Sequence, residues 1–205
     1  MIDIIPQIEA IEREVARRSS ESGEVVSVLL RREYRASVED VWDAVTDPER
    51  IRRWFMPVSG DLREGGDFQL EGNAGGQILR CDAPTLLRVT FGGETSLVEL
   101  RLTADGDEGT TLVLEHTVPM EMAGSGAGAL YVGPGWDGAF LALGLFLAGD
   151  VIGDPVAAAS SPEAQAFSRQ SIDAWTAAVE ASGTAGPDDI AAAVAASVAQ
   201  FAPDH

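Results

Sequence analysis

Residues 37–55 read SVEDVWDAVTDPERIRRWF and predict two short helices in succession. Ser37 is a favourable N-cap residue, and Asp40 follows three residues later, where a capping box places its acid. The first helix would bury Val41, Trp42 and Val45 as its apolar stripe. Asp47-Pro48 ends that helix and begins the second, which continues through Trp54, because a proline in the first helical turn sacrifices no hydrogen bond.

The residues before this helical pair predict one helix and one strand. Pro6–Glu21 carries Ile8, Ile11 and Val15 at helical spacing among charged residues, which is typical of an amphipathic helix. Glu24–Ala36 is rich in valine and leucine, which indicates a strand.

Five short segments after the helical pair predict an antiparallel meander punctuated by glycine pairs. These segments are residues 67–72, 77–81, 86–91, 96–103 and 110–117. In each one, apolar and polar residues alternate, so one face of the sheet would be covered. The opposite face would hold Glu99, Arg101 and Glu115 in water. A sheet with one wet and one covered face is typical of antiparallel strands.

The covering layer is expected from a long helix over Gly135–Gly149, with an apolar stripe of Trp136, Phe140, Leu143 and Leu147. Two further helices are predicted at residues 162–182 and 187–202. A strand, two short helices, a strand meander and a long closing helix together predict an α+β helix-grip fold.

Several spaced motifs resemble one family. They are Val41–Ile51 followed by Arg53-Trp54-Phe55, then Gly60–Gly66, Gly72–Gly76, Gly109–His116 and Gly135-Trp136. In this order they resemble the Hsp90-ATPase-activator homologue (AHSA1-like) domain of the START-like, or SRPBCC, superfamily, whose fold is Bet v 1-like. The resemblance covers roughly residues 24–149. It implies a curved antiparallel sheet that grips the long helix around a cavity, whereas activity varies too widely across the superfamily to be inferred from the fold.

The chain is accordingly expected to consist of three parts. Residues 1–23 would form an N-terminal helical extension, residues 24–149 the START-like domain, and residues 150–205 a C-terminal helical extension packed on the domain or on a partner. The candidate ligand-binding residues are those that would line the space between sheet and helix, and simple core packing is the alternative role. They are Trp54, Phe55, Phe68, Leu70, Val89, Phe91, Val98, Leu100, Leu114, His116, Trp136 and Phe140.

His116 is the one polar residue placed on the covered face, two positions after Leu114. It would hydrogen-bond a ligand carbonyl or hydroxyl, serve as an acid or base, or simply bond to a neighbouring protein group. The other histidine, His205, is the last residue and is expected to be frayed. Two histidines so far apart, with Cys81 as the only cysteine, predict no metal site.

Gly133–Gly138 reads GPGWDG and matches the dinucleotide-binding fingerprint letter for letter. No predicted strand precedes it and no βαβ unit surrounds it, so nucleotide binding is not expected. The glycines would instead let the chain turn into the long helix and pack closely. The glycine-rich residues 124–135 would either gate a pocket or form a disordered connection.

Charge excludes two classes of partner. The 205 residues carry 33 acids against 14 bases, a formal net charge of −19. Such a chain repels nucleic acid phosphates and anionic lipid, so neither nucleic acid nor membrane is expected as a partner. The acidic N-terminus is wrong for a secretory signal and a single cysteine suits a reducing compartment, so a cytoplasmic protein is expected.

No catalytic set is recognisable, and no cofactor is expected. The leading hypothesis is therefore non-catalytic binding of a small apolar molecule. The alternatives are a protein-interaction or co-chaperone-like module, including a homodimer, and an enzyme of the cyclase or hydratase kind that uses His116.

Overall fold

The computed structural model describes residues 3–20, 23–106, 108–150 and 153–203. Eight strands form one sheet in the order β1-β2-β8-β7-β6-β5-β4-β3, and the pairs from β3 to β7 are antiparallel. The strands are β1 Glu12–Ser20, β2 Gly23–Tyr34, β3 Val58–Gly60, β4 Asp67–Leu70, β5 Gly75–Asp82, β6 Leu86–Thr90, β7 Leu97–Ala104 and β8 Thr110–Pro119. Together with the helices they make the predicted α+β helix-grip fold.

The helices fall before, within and after the meander. They are α1 Ile4–Glu9, α2 Val38–Thr46, α3 Pro48–Ile51, α4 Met120–Ala123, α5 Gly133–Leu147, α6 Pro155–Ala159, α7 Pro162–Ser182 and α8 Pro187–Phe201. A 3-10 helix covers Gly126–Tyr131. None of the described helices is both long and apolar enough to cross a membrane.

The helical pair forms as its sequence predicts, although its second helix is shorter. The Ser37 hydroxyl accepts a hydrogen bond from the Asp40 main-chain N–H and so caps α2. Asp47 then caps α3 by accepting from the N–H groups of Glu49 and Arg50. The helix ends at Ile51 instead of continuing through Trp54, and residues 52–54 form turns.

The prediction of an N-terminal helix over Pro6–Glu21 is wrong for most of its length. The helix α1 ends at Glu9, and the following residues form β1 as an edge strand beside β2. Ile11 and Val15 are buried, and Arg13 between them has a side chain only 7% exposed. Inward-facing residues of a strand recur every two positions, but the inward position between Ile11 and Val15 is the charged Arg13. The apolar residues alone are four positions apart, which is also the spacing of one face of a helix. Glu21 lies outside the described residues.

The chain divides into two compact units. The first comprises residues 1–30, 117–140 and 159–205, and the second comprises residues 31–116 and 141–158. They group the chain differently from the linear ranges 1–23, 24–149 and 150–205, which remain a prediction of domain boundaries. In the first unit, α7 packs on β1 and on the 3-10 helix, and α8 packs on α7. Residues 162–201 therefore contact their own chain.

In the second unit, the C-terminal half of α5 lies against β2 and α3. A Cβ added at Gly144 would lie 2.9 Å from Arg32 Nη2 and 3.5 Å from the Tyr34 ring, so the helix contacts side chains of β2. The guanidinium groups of Arg50 and Arg53 lie 5.3 and 5.1 Å from the centre of the Phe146 ring. These cation–π contacts tie the end of α5 to the segment that follows α2.

Candidate functional site

The covered face of the sheet forms as predicted. The antiparallel register pairs Val89 with Val98 and Leu87 with Leu100, so all four side chains share a face. The opposite face carries ion pairs from Glu99 to Arg88 and to Arg101. Apolar side chains therefore gather on one side of the meander, where the candidate ligand-binding residues were placed.

An aromatic cluster with one histidine lies at the β6–β7 end of this face. The rings of Phe91 and His116 meet edge to face, with centroids 5.9 Å apart. The Phe68 ring lies 6.5 Å from that of Phe91. Phe68 and Phe91 are half-buried, whereas His116 is only 3% exposed. A buried polar side chain thus lies beside aromatic surface that is still partly open to solvent.

Ser96 completes this cluster and was missed by the sequence analysis. Its hydroxyl lies 2.8 Å from His116 Nε2, and the residue is buried. The turn between β6 and β7 holds it there, since the Phe91 N–H donates to the Ser96 carbonyl oxygen over 2.9 Å. Serine in a turn is so common that its type alone gave no signal.

Burial sets the protonation state of His116. Removal from water disfavours the imidazolium ion and lowers the pKa of His116 from 6.5 to about 4. The ring is therefore neutral near pH 7, with one nitrogen that donates and one that accepts. Paired with the Ser96 hydroxyl, it forms an uncharged hydrogen-bonding group within an apolar face.

Gly76, opposite Phe68, allows β5 and β6 to approach closely. Phe68 on β4 pairs directly with Gly76 on β5. A Cβ at Gly76 would lie 1.9 Å from the main-chain oxygen of Thr90 on β6, so only glycine fits there. The motif Gly72–Gly76, which supports the family resemblance, thus includes a position that brings β5 and β6 together beside the aromatic cluster.

Trp54 has a structural role that its sequence did not reveal. Its indole N–H donates to the Ala44 main-chain oxygen over 2.9 Å, and its ring stacks on that of Phe55 at 5.4 Å. The Trp54 side chain is buried, whereas Phe55 is half-buried. Trp54 therefore fastens the segment after α3 to α2, and Phe55 carries the more accessible surface.

The other predicted site residues divide between the two units. Leu70, Val89, Val98 and Leu114 are buried and Leu100 is half-buried, all in the second unit. Trp136 and Phe140 belong to the first unit, and their membership of the same site stays a prediction. His205 lies outside the described residues. Among the described residues, no group of three or more His, Cys, Asp or Glu side chains is placed to hold a metal ion.

A second polar cluster, also missed by the sequence analysis, is centred on Asp137 in the first unit. Asp137 Oδ2 accepts hydrogen bonds from Arg13 Nε at 2.8 Å, Ser171 Oγ at 2.5 Å and Trp175 Nε1 at 3.1 Å. These donors come from β1 and α7, so one carboxylate on α5 joins three elements. Burial raises the pKa of Asp137 from 3.8 to about 6, against the opposing effects of Arg13 and the hydrogen bonds.

Gly133 of the fingerprint-like motif and Gly126 before it both allow close packing in the first unit. A Cβ at Gly133 would lie 2.4 Å from the Trp175 indole ring. At Gly126 it would lie 1.8 Å from the Thr184 hydroxyl oxygen. Between them the 3-10 helix buries Ala127, Ala129 and Leu130, so this glycine-rich segment is an ordered part of the first unit and not a loose connection.

Comparison with known proteins identifies relatives of this chain. The family described as Activator of Hsp90 ATPase homolog 1-like protein matches residues 35–144. CalU16 from Micromonospora echinospora is 44% identical in its crystal structure, over 83% of this chain and 98% of CalU16, with a TM-score of 0.68. In its solution NMR structure the identity is 44%, over 84% of this chain and 97% of CalU16, with a TM-score of 0.71.

A more distant solved structure is that of DynU16, which is described as a protein in the dynemicin biosynthetic locus. It is 25% identical, over 63% of this chain and 48% of DynU16, with a TM-score of 0.53. No curated protein matches the chain significantly.

Proposed function

This chain belongs to the family of Activator of Hsp90 ATPase homolog 1-like proteins, and we propose that it binds a small apolar molecule without catalysing a reaction. The observation that carries the proposal is the half-buried pair Phe68 and Phe91 beside the neutral, buried His116. Ligand sites are typically apolar surfaces with a few placed polar groups.

The proposed ligand is apolar and carries one uncharged polar group. The aromatic rings of Phe68 and Phe91 offer surface whose burial against a ligand is favourable, at about 25 cal/mol per Å². The His116–Ser96 pair offers hydrogen bonds that suit a carbonyl or hydroxyl group of the ligand. A carboxylate or phosphate is disfavoured, because the histidine that would face it is uncharged near pH 7.

The remaining predicted residues extend the proposed site along the covered face. Phe55 and Leu100 are half-buried and would add apolar contacts, while the buried residues would form the floor. From the sequence pattern we also propose Trp136 and Phe140 as ligand contacts. DynU16 is described only as a protein in the dynemicin biosynthetic locus, and that setting supports our choice of a small molecule as the ligand of this chain. We also propose that the protein acts in the cytoplasm.

The test is titration of the protein with Nile red, a neutral apolar dye that carries a carbonyl group, followed by its fluorescence. We expect saturable binding of one dye per chain, with Phe91→Ala weakening it at least tenfold. Leu62→Ala is the control, since Leu62 is an exposed apolar residue outside the cluster. Absence of saturable binding, or equal affinity of Phe91→Ala and the wild type, would contradict the proposal.

A co-chaperone-like role is the second candidate, and the family description favours it by naming an activator of the Hsp90 ATPase. Measurement of the ATPase rate of a purified Hsp90 with and without this protein separates the two roles. Stimulation that Phe91→Ala leaves unchanged would support a protein partner bound elsewhere. Light scattering in the same samples would reveal a homodimer.

A catalytic role for His116 as an acid or base is the third candidate. A side chain whose pKa is about 4 is a weak base at neutral pH, which argues against efficient proton abstraction. If a substrate is converted, His116→Ala should abolish its turnover. Unchanged turnover in that variant would remove His116 from the chemistry.

A further inference from the structure

The Arg13–Asp137 pair contains two buried polar atoms that form no hydrogen bond with any described residue. Arg13 Nε donates to Asp137 Oδ2, and Arg13 Nη1 donates to the main-chain oxygens of Ile8 and Ile11 at 3.1 and 2.8 Å. Arg13 Nη2 and Asp137 Oδ1 are both shielded from solvent, and neither has a hydrogen-bond partner among the described residues. One atom is a donor and the other an acceptor, within a single ion pair.

The hydrogen bonds that described side chains donate to this carboxylate all go to Oδ2. In a bidentate pair, Nε and Nη2 of an arginine donate to different oxygens of the carboxylate, so that each oxygen accepts one hydrogen bond. Here the side chains of Ser171 and Trp175 on α7 also donate to Oδ2. Three donors from two elements therefore converge on one oxygen, and the second oxygen is left without a donor.

Leaving a charged donor and a charged acceptor unsatisfied in the interior is strongly unfavourable, because each loses its hydrogen bonds to water and gains none in return. The charges also restrict what can fill the site. A cation beside Oδ1 would be repelled by the guanidinium, and an anion beside Nη2 would be repelled by the carboxylate. The occupant must therefore be neutral, small, and able both to accept and to donate.

We propose that Arg13 Nη2 and Asp137 Oδ1 bind one internal water molecule, which accepts a hydrogen bond from the guanidinium and donates one to the carboxylate. Water is the smallest molecule with both capacities, and buried waters typically serve otherwise unsatisfied polar groups. In this role it completes the hydrogen bonding of the carboxylate that joins β1, α5 and α7. The site lies in the first unit, whereas Phe68, Phe91 and His116 belong to the second.

The direct test is a crystal structure at about 1.5 Å or better. We expect an isolated density peak within hydrogen-bonding distance, roughly 2.6–3.2 Å, of both Nη2 and Oδ1. A direct Nη2–Oδ1 hydrogen bond, an empty site, or density for an ion or a larger molecule would overturn the proposal.

A solution test is to count long-lived internal waters by oxygen-17 magnetic relaxation dispersion. Arg13→Lys keeps the positive charge but removes Nη2, so we expect one internal water fewer per molecule than in the wild type. Ser171→Ala is the matched control, because it removes a donor to Oδ2 and leaves both water-binding atoms in place. An equal count in a folded Arg13→Lys variant would contradict the proposal, and if that variant fails to fold, the wild-type crystal structure decides.

Discussion

Burial shifts the pKa values of two titratable side chains, one in each unit, in the direction that favours the uncharged form. The pKa of His116 falls to about 4, and that of Asp137 rises to about 6. The unfolded chain therefore binds a proton more readily than the folded chain at His116 and less readily at Asp137. The two residues consequently change stability with pH in opposite directions, and single variants are needed to separate them.

Replacing His116 by glutamine should make stability less sensitive to acid. As the pH falls from 6.5 to about 4, the wild type loses up to about 3 kcal/mol through this residue, because the unfolded histidine is protonated and the folded one is not. Urea unfolding at intervals from pH 7.5 to 4.5 gives the difference in the free energy of unfolding between variant and wild type. Asp137 contributes equally to both proteins, so its effect cancels in this difference. A pH-independent difference would show that the folded pKa of His116 is not lowered.

Replacing Arg13 by methionine should destabilise the first unit strongly at high pH. The change leaves the Asp137 carboxylate buried without its cation, which typically destabilises a protein by about 3–5 kcal/mol. The pKa of Asp137 would then rise further, so the loss should be smaller at pH 5, where the acid can be protonated, than at pH 8. Urea unfolding of Arg17→Met, an exposed position on the same strand, provides the control. An equal loss at both pH values would contradict this interpretation.

At the scale of elements, two of the four glycines in α5 have opposite roles. Gly133 allows the Trp175 indole to pack against the start of the helix, while a Cβ at Gly138 would meet no atom within 4 Å. Gly133 is therefore required by packing between α5 and α7. Gly138 only weakens the helix, since glycine has a poor helix propensity.

Alanine usually stabilises a helix relative to glycine, and we expect the opposite effect at Gly133. Gly133→Ala should destabilise by about 1–3 kcal/mol through overpacking against Trp175. Gly138→Ala should stabilise by up to about 1 kcal/mol. Thermal and urea unfolding of the two variants measure both effects under one set of conditions. Stabilisation by both substitutions would show that the contact between Gly133 and Trp175 relaxes easily.

For the whole molecule, the dominant electrostatic property is the net charge of −19. Repulsion among like charges opposes the compact state, and salt screens it. Raising NaCl from about 10 to about 300 mM near pH 7.5 should therefore raise the melting temperature, by roughly 2–4 °C. The same comparison near the isoelectric point of about 4.2 is the control, because net repulsion vanishes there. An equal rise at both pH values would assign the effect to general salting-out.

Most of the helices and strands could be predicted from local sequence patterns. The caps and stripe of α2, the alternation in β6 and β7, and the buried stripe Phe167, Ile172, Trp175 and Val179 on α7 all follow from periodicity and capping. These features depend on neighbours within a few residues along the chain, so the pattern specifies them before the chain folds. The order of these elements predicted a helix-grip fold, and the family resemblance implied the same fold.

The roles of the polar residues depend on contacts between distant parts of the chain. Arg13 and Asp137 are 124 positions apart, and His116 and Ser96 are 20 apart, so no local pattern connects either pair. β1 was mistaken for a helix for the same reason, because the partner that allows Arg13 to point inward lies on α5. A buried charge is tolerated only where a distant segment supplies its counter-charge and hydrogen bonds, and that pairing exists only once the chain has folded.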